Sequence, residues 1–296
     1  MLKEFTFHSP EQHITHPLYV SKNISVWFKR DDMIHPFISG NKWRKLKYNL
    51  KKAQQQNQKH IVTFGGAWSN HLVATACAGA TFGFSTEAFV RGDVVHNPVL
   101  SLCRLFGMKL NFISREEYRN KRNLWNAIQA DPGTYLIDEG GAGIEATWGC
   151  REIVTELSQN YQHIFCAAGT GTTATGIALA LAEREPYTQL HIVPVLKGGD
   201  FVLDEMKKNN TPTTQTTLHT DYHFGGYAKT KPELLSFVKD FMSRTGIMIE
   251  PTYTGKALFA LHHLIENDTF KPEERILFIH TGGLTGLLGM LDRFEH

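Results

Sequence analysis

The chain has 296 residues: 42% are hydrophobic, 20% are charged, and 31 Lys and Arg against 29 Asp and Glu leave a net charge of +2. That near balance argues against an electrostatically driven nucleic-acid binder, and 25 glycines with 11 prolines exclude collagen-like and low-complexity classes. The length suits two domains of about 150 residues or one large one, with core enough to need neither metal nor disulfide.

The N-terminal segment MLKEFTFHSPEQHITHP carries acidic Glu4 and no apolar run of leader length, and no stretch approaches a membrane span. Cys77, Cys103, Cys150 and Cys166 are widely spaced and form no CxxC pair, so they read as reduced thiols in a cytoplasmic protein. The closest histidine spacings, His13-x-x-His16 and His219-x-x-x-His223, lack an HExxH or cysteine partner, and no metal is expected.

Short β-branched runs then alternate with helical patterns. Strands are predicted at 24–28, 60–64, 86–90, 109–113, 135–137, 164–167, 190–195 and 276–280. Helices are predicted at 41–56, 69–82, 115–129, 144–160, 173–185, 231–244, 255–267 and 284–294. The alternation predicts an α/β fold with mostly parallel sheets, and runs such as ILFIH suit a sheet covered on both faces. Four strand ends lead at once into glycines and a helix: VTFGGAWSN (62–70), FCAAGTGTTATG (165–176), VPVLKGG (193–199) and FIHTGGLTG (278–286). Free N–H groups and helix dipoles gather at such ends, so four of them imply one ligand crevice.

The loop 169–176, GTGTTATG, has the composition of an anion cradle, with four threonines as hydrogen-bond donors. A Walker A loop would need Lys where Ile177 stands. A G-x-G-x-x-A dinucleotide trace fits Gly169, Gly171 and Ala174, but it lies mid-chain with no acidic residue ending the next strand. A phosphate monoester fits better. Lys42 falls in the first turn of the helix predicted from Asn41, where the positive dipole end disfavours an ammonium and lowers its pKa. A more available neutral amine suits a Schiff base, and an aldehyde cofactor with one phosphate is pyridoxal phosphate.

Together KRDD … GNKWRKLKY, GGAWSNH, AAGTGTTATG, EPTYTGKA and FIHTGG resemble the 1-aminocyclopropane-1-carboxylate deaminase/D-cysteine desulfhydrase family, from about Lys29 to Gly283. The resemblance implies a pyridoxal-phosphate enzyme with the tryptophan synthase β-subunit-like fold (fold type II), two domains each an open, mostly parallel sheet flanked by helices. Residues 1–45 and 155–296 would form the large cofactor-binding domain, and 46–154 a small domain on the substrate side. Lys42 would carry the cofactor and move protons at Cα. Asn70 would bond the ring hydroxyl, and Gly171, Thr172, Thr173, Ala174 and Thr175 would hold the phosphate. Ser69, as helix N-cap, would receive the substrate carboxylate, with Trp68, Asn70 and His71 beside it. Tyr227 and Tyr253 would be the two active-site tyrosines.

The chain departs from that pattern at Thr254, where the deaminases carry Glu against the pyridine nitrogen; the hydroxyl of Thr254 or Thr281 is left to face it. A hydroxyl protonates the ring poorly, which points to β-elimination of a thiol rather than cyclopropane ring opening. Trp68 replaces a usual glutamine and Val73 an arginine, both expected to line or support the substrate side. The expectation is a lyase acting on a small amino acid, giving pyruvate, ammonia and sulfide from D-cysteine, in a homodimer. Ring-opening deamination, a catalytically silent pyridoxal-phosphate-binding protein and a nicotinamide-dependent oxidoreductase are the alternatives.

Overall fold

The computed structural model describes residues 5–184 and 187–295. All eight expected strands form, and two short ones join them at the edges. In chain order they are β1 (Glu11–His13), β2 (Ser25–Lys29), β3 (His60–Gly66), β4 (Ser85–Arg91), β5 (Lys109–Ile113), β6 (Thr134–Ile137), β7 (His163–Ala168), β8 (Gln189–Pro194), β9 (Thr216–Leu218) and β10 (Arg275–Ile279). One sheet has six strands in the order β1-β2-β10-β7-β8-β9, the other four in the order β5-β4-β3-β6. Every pairing is parallel except β1 with β2. The added strands β1 and β9 are three residues each, too short and polar for a period-two signal.

The larger sheet is buried on both faces, as its continuous apolar runs required. Phe28, Phe165 and Phe278 pack on one side against Val238 and Phe241 of helix Pro232–Thr245 and Leu258 and Leu261 of helix Thr254–Glu266. On the other side Ile164, Cys166, Leu277 and Ile279 meet Ala174, Ile177 and Leu181 of helix Thr172–Arg184. In the smaller sheet, helix Asn70–Phe82 shares its buried surface between two clusters. Ala74 and Ala78 join Leu46 and Leu50 of helix Asn41–Gln55, while Leu72 and Val73 join Val90 and Val99.

Helix Asn41–Gln55 is held on helix Ile144–Thr155 by a backbone approach at Gly149, where a Cβ would lie 1.8 Å from the Arg44 carbonyl oxygen. Beside that contact the wholly buried Arg44 guanidinium pairs with Asp31 at 2.8 and 3.1 Å and with Glu156. Lys29 reaches Glu156 at 3.2 Å, and Arg30 pairs with Asp32 at 2.7 Å. The KRDD block is therefore a structural lock on the helix that carries Lys42.

Three expected helices differ. The 115–129 pattern breaks into Arg115–Arg119, opened by a Ser114–Glu117 capping box, and Arg122–Gln129. Lys121 between them is drawn over the rings of Phe64, Tyr118 and Trp125 and pairs with Asp138. The helix from Ile144 stops at Thr155, and the side chain of its C-cap Glu156 pairs with Arg44. Residues 284–294 form two short 3-10 segments, Leu284–Gly289 and Leu291–Phe294, in place of an α-helix. Gly286 and Gly289 weaken helix there, and a Cβ on Gly289 would strike the Trp68 ring at 2.6 Å. The helix expected to reach Glu185 is described to Arg184; Glu185, like Glu4, lies outside the described residues.

Candidate active site

The carboxyl ends of β3, β4, β7 and β10 and the helix starts that follow them surround one cavity of about 500 Å³, lined among others by Lys42, Ser69, Thr173, Tyr253 and Thr281. Its geometry begins at Gly40. With φ of +61°, Gly40 adopts a conformation that L side chains rarely tolerate, and a Cβ there would lie 1.9 Å from the Thr281 carbonyl oxygen. Asn41 N–H donates to that same carbonyl at 3.2 Å, seating helix Asn41–Gln55 on the turn after β10. Lys42 is the second residue of that helix, and its Nζ donates to Asn41 Oδ1 at 2.7 Å. Asn41 Nδ2 in turn donates to Thr173 Oγ1 at 3.0 Å.

Lys42 is half-buried, its open surface lining the cavity. Burial chiefly, then the neighbouring Lys45 ammonium, lowers its pKa to about 7, against weaker opposing effects of Cys150 and Glu250. A low pKa was expected from the helix dipole; desolvation is its leading cause here.

The anion cradle follows β7. The Thr175 N–H bonds the Gly171 carbonyl at 2.9 Å, so the N–H groups of Thr172, Thr173 and Ala174 precede any helical acceptor. The four threonines are not equivalent. Thr170 and Thr173 line the cavity, whereas Thr172 and Thr175 are wholly buried and the Thr175 hydroxyl is spent on Gly171 O at 3.1 Å. Ala174 is also outside the cavity wall, in the core between helix and sheet. Of residues 171–175, only Gly171 and Thr173 line the cavity, and the others offer backbone alone.

Across the cavity lies the start of helix Asn70–Phe82. Ser69 is its N-cap by position but makes no capping bond with its side chain, so its hydroxyl is uncommitted. Asn70 accepts from the Thr285 hydroxyl, and Trp68 lies half-exposed along the wall with its ring over Gly289. The Thr63 hydroxyl donates its proton to Ile137 O at 2.8 Å, so it must accept from His71 Nε2 at 2.7 Å. His71 is thereby fixed as the Nε2–H tautomer, leaving Nδ1 as a buried acceptor without a partner among the described residues. Burial, then Lys42 and Lys45, lowers its pKa to about 3, so the ring stays neutral. Val73, expected to support the substrate side, is wholly enclosed in the core of the smaller sheet and lines nothing.

Tyr227 and Tyr253 meet edge to face at 5.9 Å between ring centroids, and both line the cavity. Burial, then Tyr227, raises the Tyr253 phenol well above its usual range. Of the two hydroxyls considered for the ring nitrogen, Thr281 lines the cavity and Thr254 does not. Thr254 is wholly buried, its hydroxyl held by Glu250 O and Oε1 at 3.3 and 3.1 Å. The Glu250 carboxylate also accepts from the N–H groups of Thr252, Tyr253 and Thr254 at 2.6–3.1 Å. It thus caps helix Thr254–Glu266, and burial pushes its pKa up to about 7 against those donors.

Sequence reasoning passed over Lys45, Arg91, Glu139 and Glu250. Lys45 sits one turn after Lys42, lines the cavity and donates to Gly140 O at 3.1 Å, so the GNKWRKL block had offered that signal. Glu250 opens the EPTYTGKA block, whereas Arg91 and Glu139 carry no local signal, because other elements bring them to the cavity.

The family described as pyridoxal-phosphate dependent enzyme matches residues 12–282. The chain belongs to that family. Its enzymes depend on pyridoxal phosphate, which replaces the nicotinamide alternative. The enzyme is 32% identical over 90% of its length to a bifunctional D-cysteine desulfhydrase/1-aminocyclopropane-1-carboxylate deaminase, mitochondrial, from Arabidopsis thaliana, covering 74% of that protein. Its fold is similar to the crystal structure of an ACC deaminase homologue, at TM-score 0.86 and 26% identity over 99% of this chain and 94% of that one. A threonine deaminase isoform 2 from Solanum lycopersicum shares the fold alone, at TM-score 0.69 and 16% identity, covering 97% of this chain and 83% of that one. The fold is therefore fold type II, as the motifs implied. No described helix is long and apolar enough to cross a membrane.

The residues present fit the cofactor. A lysine amine with pKa near neutrality suits an aldehyde, and the unbonded N–H groups at Thr172–Ala174 with the Thr170 and Thr173 hydroxyls suit a phosphate.

Proposed function

We propose that the enzyme is a lyase of small amino acids, most nearly a D-cysteine desulfhydrase-like β-elimination enzyme releasing pyruvate, ammonia and sulfide. The observation that carries this reading is the half-buried Lys42, with pKa near 7, in a cavity that Thr281 lines and that neither Thr254 nor Glu250 lines. Bound pyridoxal phosphate supplies an electron sink for the pair left at Cα when its proton departs. Lys42 would hold the cofactor, and its neutral amine would take the proton from the substrate Cα. Gly171, Thr173 and the N–H groups of Thr172–Ala174 would anchor the phosphate. Asn70 would hold the ring hydroxyl, and the Thr281 hydroxyl, which does not ionise, would serve the ring nitrogen.

Ser69 and the N–H groups around it take the substrate carboxylate, with Trp68 and His71 as walls. Tyr253, its phenol protonated at any working pH, donates to the departing group with Tyr227 at its edge. In this reading residues 46–154 form a small domain that closes on the larger one, 1–45 and 155–296, and excludes water. The reading includes a homodimer, which sedimentation tests.

The experiment is a panel of D- and L-cysteine, β-chloroalanine, serine and 1-aminocyclopropane-1-carboxylate, assayed for pyruvate, sulfide and 2-oxobutanoate. Sulfide and pyruvate from D-cysteine with little ring opening is the expected result. Dominant ring opening assigns the deaminase instead, and no turnover by a yellow protein leaves a silent binding protein.

A further inference from the structure

Three cations line the cavity, and two are engaged: Lys42 with Asn41, and Lys45 with Gly140 O. The third is Arg91, whose guanidinium has no hydrogen-bond or ion-pair partner among the described residues. Arg91 ends β4 and pairs in register with Gly66 of β3, three residues before Ser69. A Cβ on Gly66 would lie 3.5 Å from Arg91 Nη2, so the guanidinium lies against the backbone that leads into the substrate loop. The guanidinium lies over the Tyr118 ring, with Arg91 at 5.4 Å and Lys121 at 5.2 Å from the ring centroid. Lys121 is matched by Asp138 at 3.1 Å, whereas Arg91, exposed at the end of β4, has no matching carboxylate among the described residues. Glu139 shares the cavity but makes no ion pair with it.

A fork of five donors, lying over a ring beside the substrate loop, recognises a carboxylate, sulfonate or phosphate. On the proposed reading the cofactor phosphate and the substrate α-carboxylate already have the two helix starts, so Arg91 is a third anion-binding position. The geometry points to Arg91 as the specificity residue for an amino acid whose β-substituent carries its own negative charge. This inference rests on the lyase reading. In the elimination the Cα–H proton passes to Lys42, the Cβ–X bond breaks with its electron pair going to X, and Cα=Cβ forms. Water then releases pyruvate and ammonium, so an anionic X departs as thiosulfate or phosphate. No oxidant or reductant is needed.

The test uses holoenzyme, with O-phosphoserine and S-sulfocysteine as anionic probes and β-chloroalanine and O-acetylserine as neutral ones, each in both enantiomers. Binding is read from the shift of the cofactor absorbance band, and turnover from pyruvate. Wild type should prefer the anionic probes. Arg91→Gln should lower kcat/KM for them by about ten- to a hundredfold through KM, with less than about threefold loss for neutral probes, and Arg91→Lys should restore part of it. Glu139→Gln should tighten the anionic probes. Equal losses in both classes would assign Arg91 to the α-carboxylate, and no loss in either would remove it from recognition; both overturn the inference. If no probe is turned over, the lyase reading fails by itself, while the absorbance titration still ranks the two probe classes and decides on Arg91.

Discussion

Gly40 and Thr281 meet backbone to backbone, with space for a hydrogen atom and none for a methyl group: a Cβ on Gly40 would lie 1.9 Å from the Thr281 carbonyl oxygen. This contact ties the helix bearing Lys42 to the end of β10, so two cavity residues separated by most of the chain are held in one frame. Gly40→Ala combines that clash with an unfavourable positive φ and should cost about 3 kcal/mol or more. Thermal denaturation checks the loss, and the cofactor absorbance band should weaken with it. A variant with native melting and a native band would remove Gly40 as the anchor.

The lowered pKa of Lys42 sets the pH at which its amine is available. With a pKa of about 7 the amine is half neutral there and almost fully neutral by pH 9. The rate at which protein stripped of cofactor recovers its yellow colour should therefore rise through pH 7 and level off; a rate still climbing towards pH 10 would contradict the shift. Lys42→Ala should take up no cofactor that borohydride can fix.

Glu250 should act on catalysis through Tyr253, whose N–H it accepts together with those of Thr252 and Thr254. Glu250→Gln turns an amide donor towards those donors and should cost about 1–3 kcal/mol in denaturant unfolding. The kcat should fall with little change in KM, and Tyr253→Phe should lower kcat further than Tyr227→Phe. Equal effects of the two tyrosine variants would argue against Tyr253 as donor.

The Arg44 lock predicts an asymmetry. Arg44→Leu strands Asp31 as a buried, unmatched carboxylate and should cost about 3–5 kcal/mol, far more than loss of the exposed Arg244–Asp240 pair. Urea titration of the two variants measures the difference, and similar midpoints would deny the lock.

Acid should weaken the fold well before carboxylates titrate generally. His71, His191 and His262 are each lowered to about 3 by burial first, so below pH 6.5 the unfolded chain binds protons that the native state refuses. Stability is full above about 6.5 and falls with pH towards 3, by roughly 1.4 kcal/mol per pH unit for each fully shifted histidine. Glu250, raised to about 7, has the opposite slope between its unfolded value and 7, one group against three. Melting temperatures at steps from pH 7.5 to 5 should fall, and a flat profile would count against the buried neutral rings.

Much of this was legible in order along the chain. Strand runs, glycine turns at their ends and the first-turn position of Lys42 are local patterns, set by side-chain period and backbone freedom within a few residues. Those patterns determined the α/β class, both-face burial of the larger sheet and the crevice at the strand ends. They could not rank Thr254 against Thr281, because the two differ in which way a buried turn faces: Glu250 claims Thr254, and Gly40 holds Thr281 to the cavity. Nor could they find Arg91, whose neighbours Gly66 and Tyr118 reach it only through strand pairing and ring stacking. Local sequence thus determined the elements and the amine; tertiary packing alone decided which hydroxyls, carboxylates and cations face the cavity, since desolvation and partner distance are properties of the assembled fold.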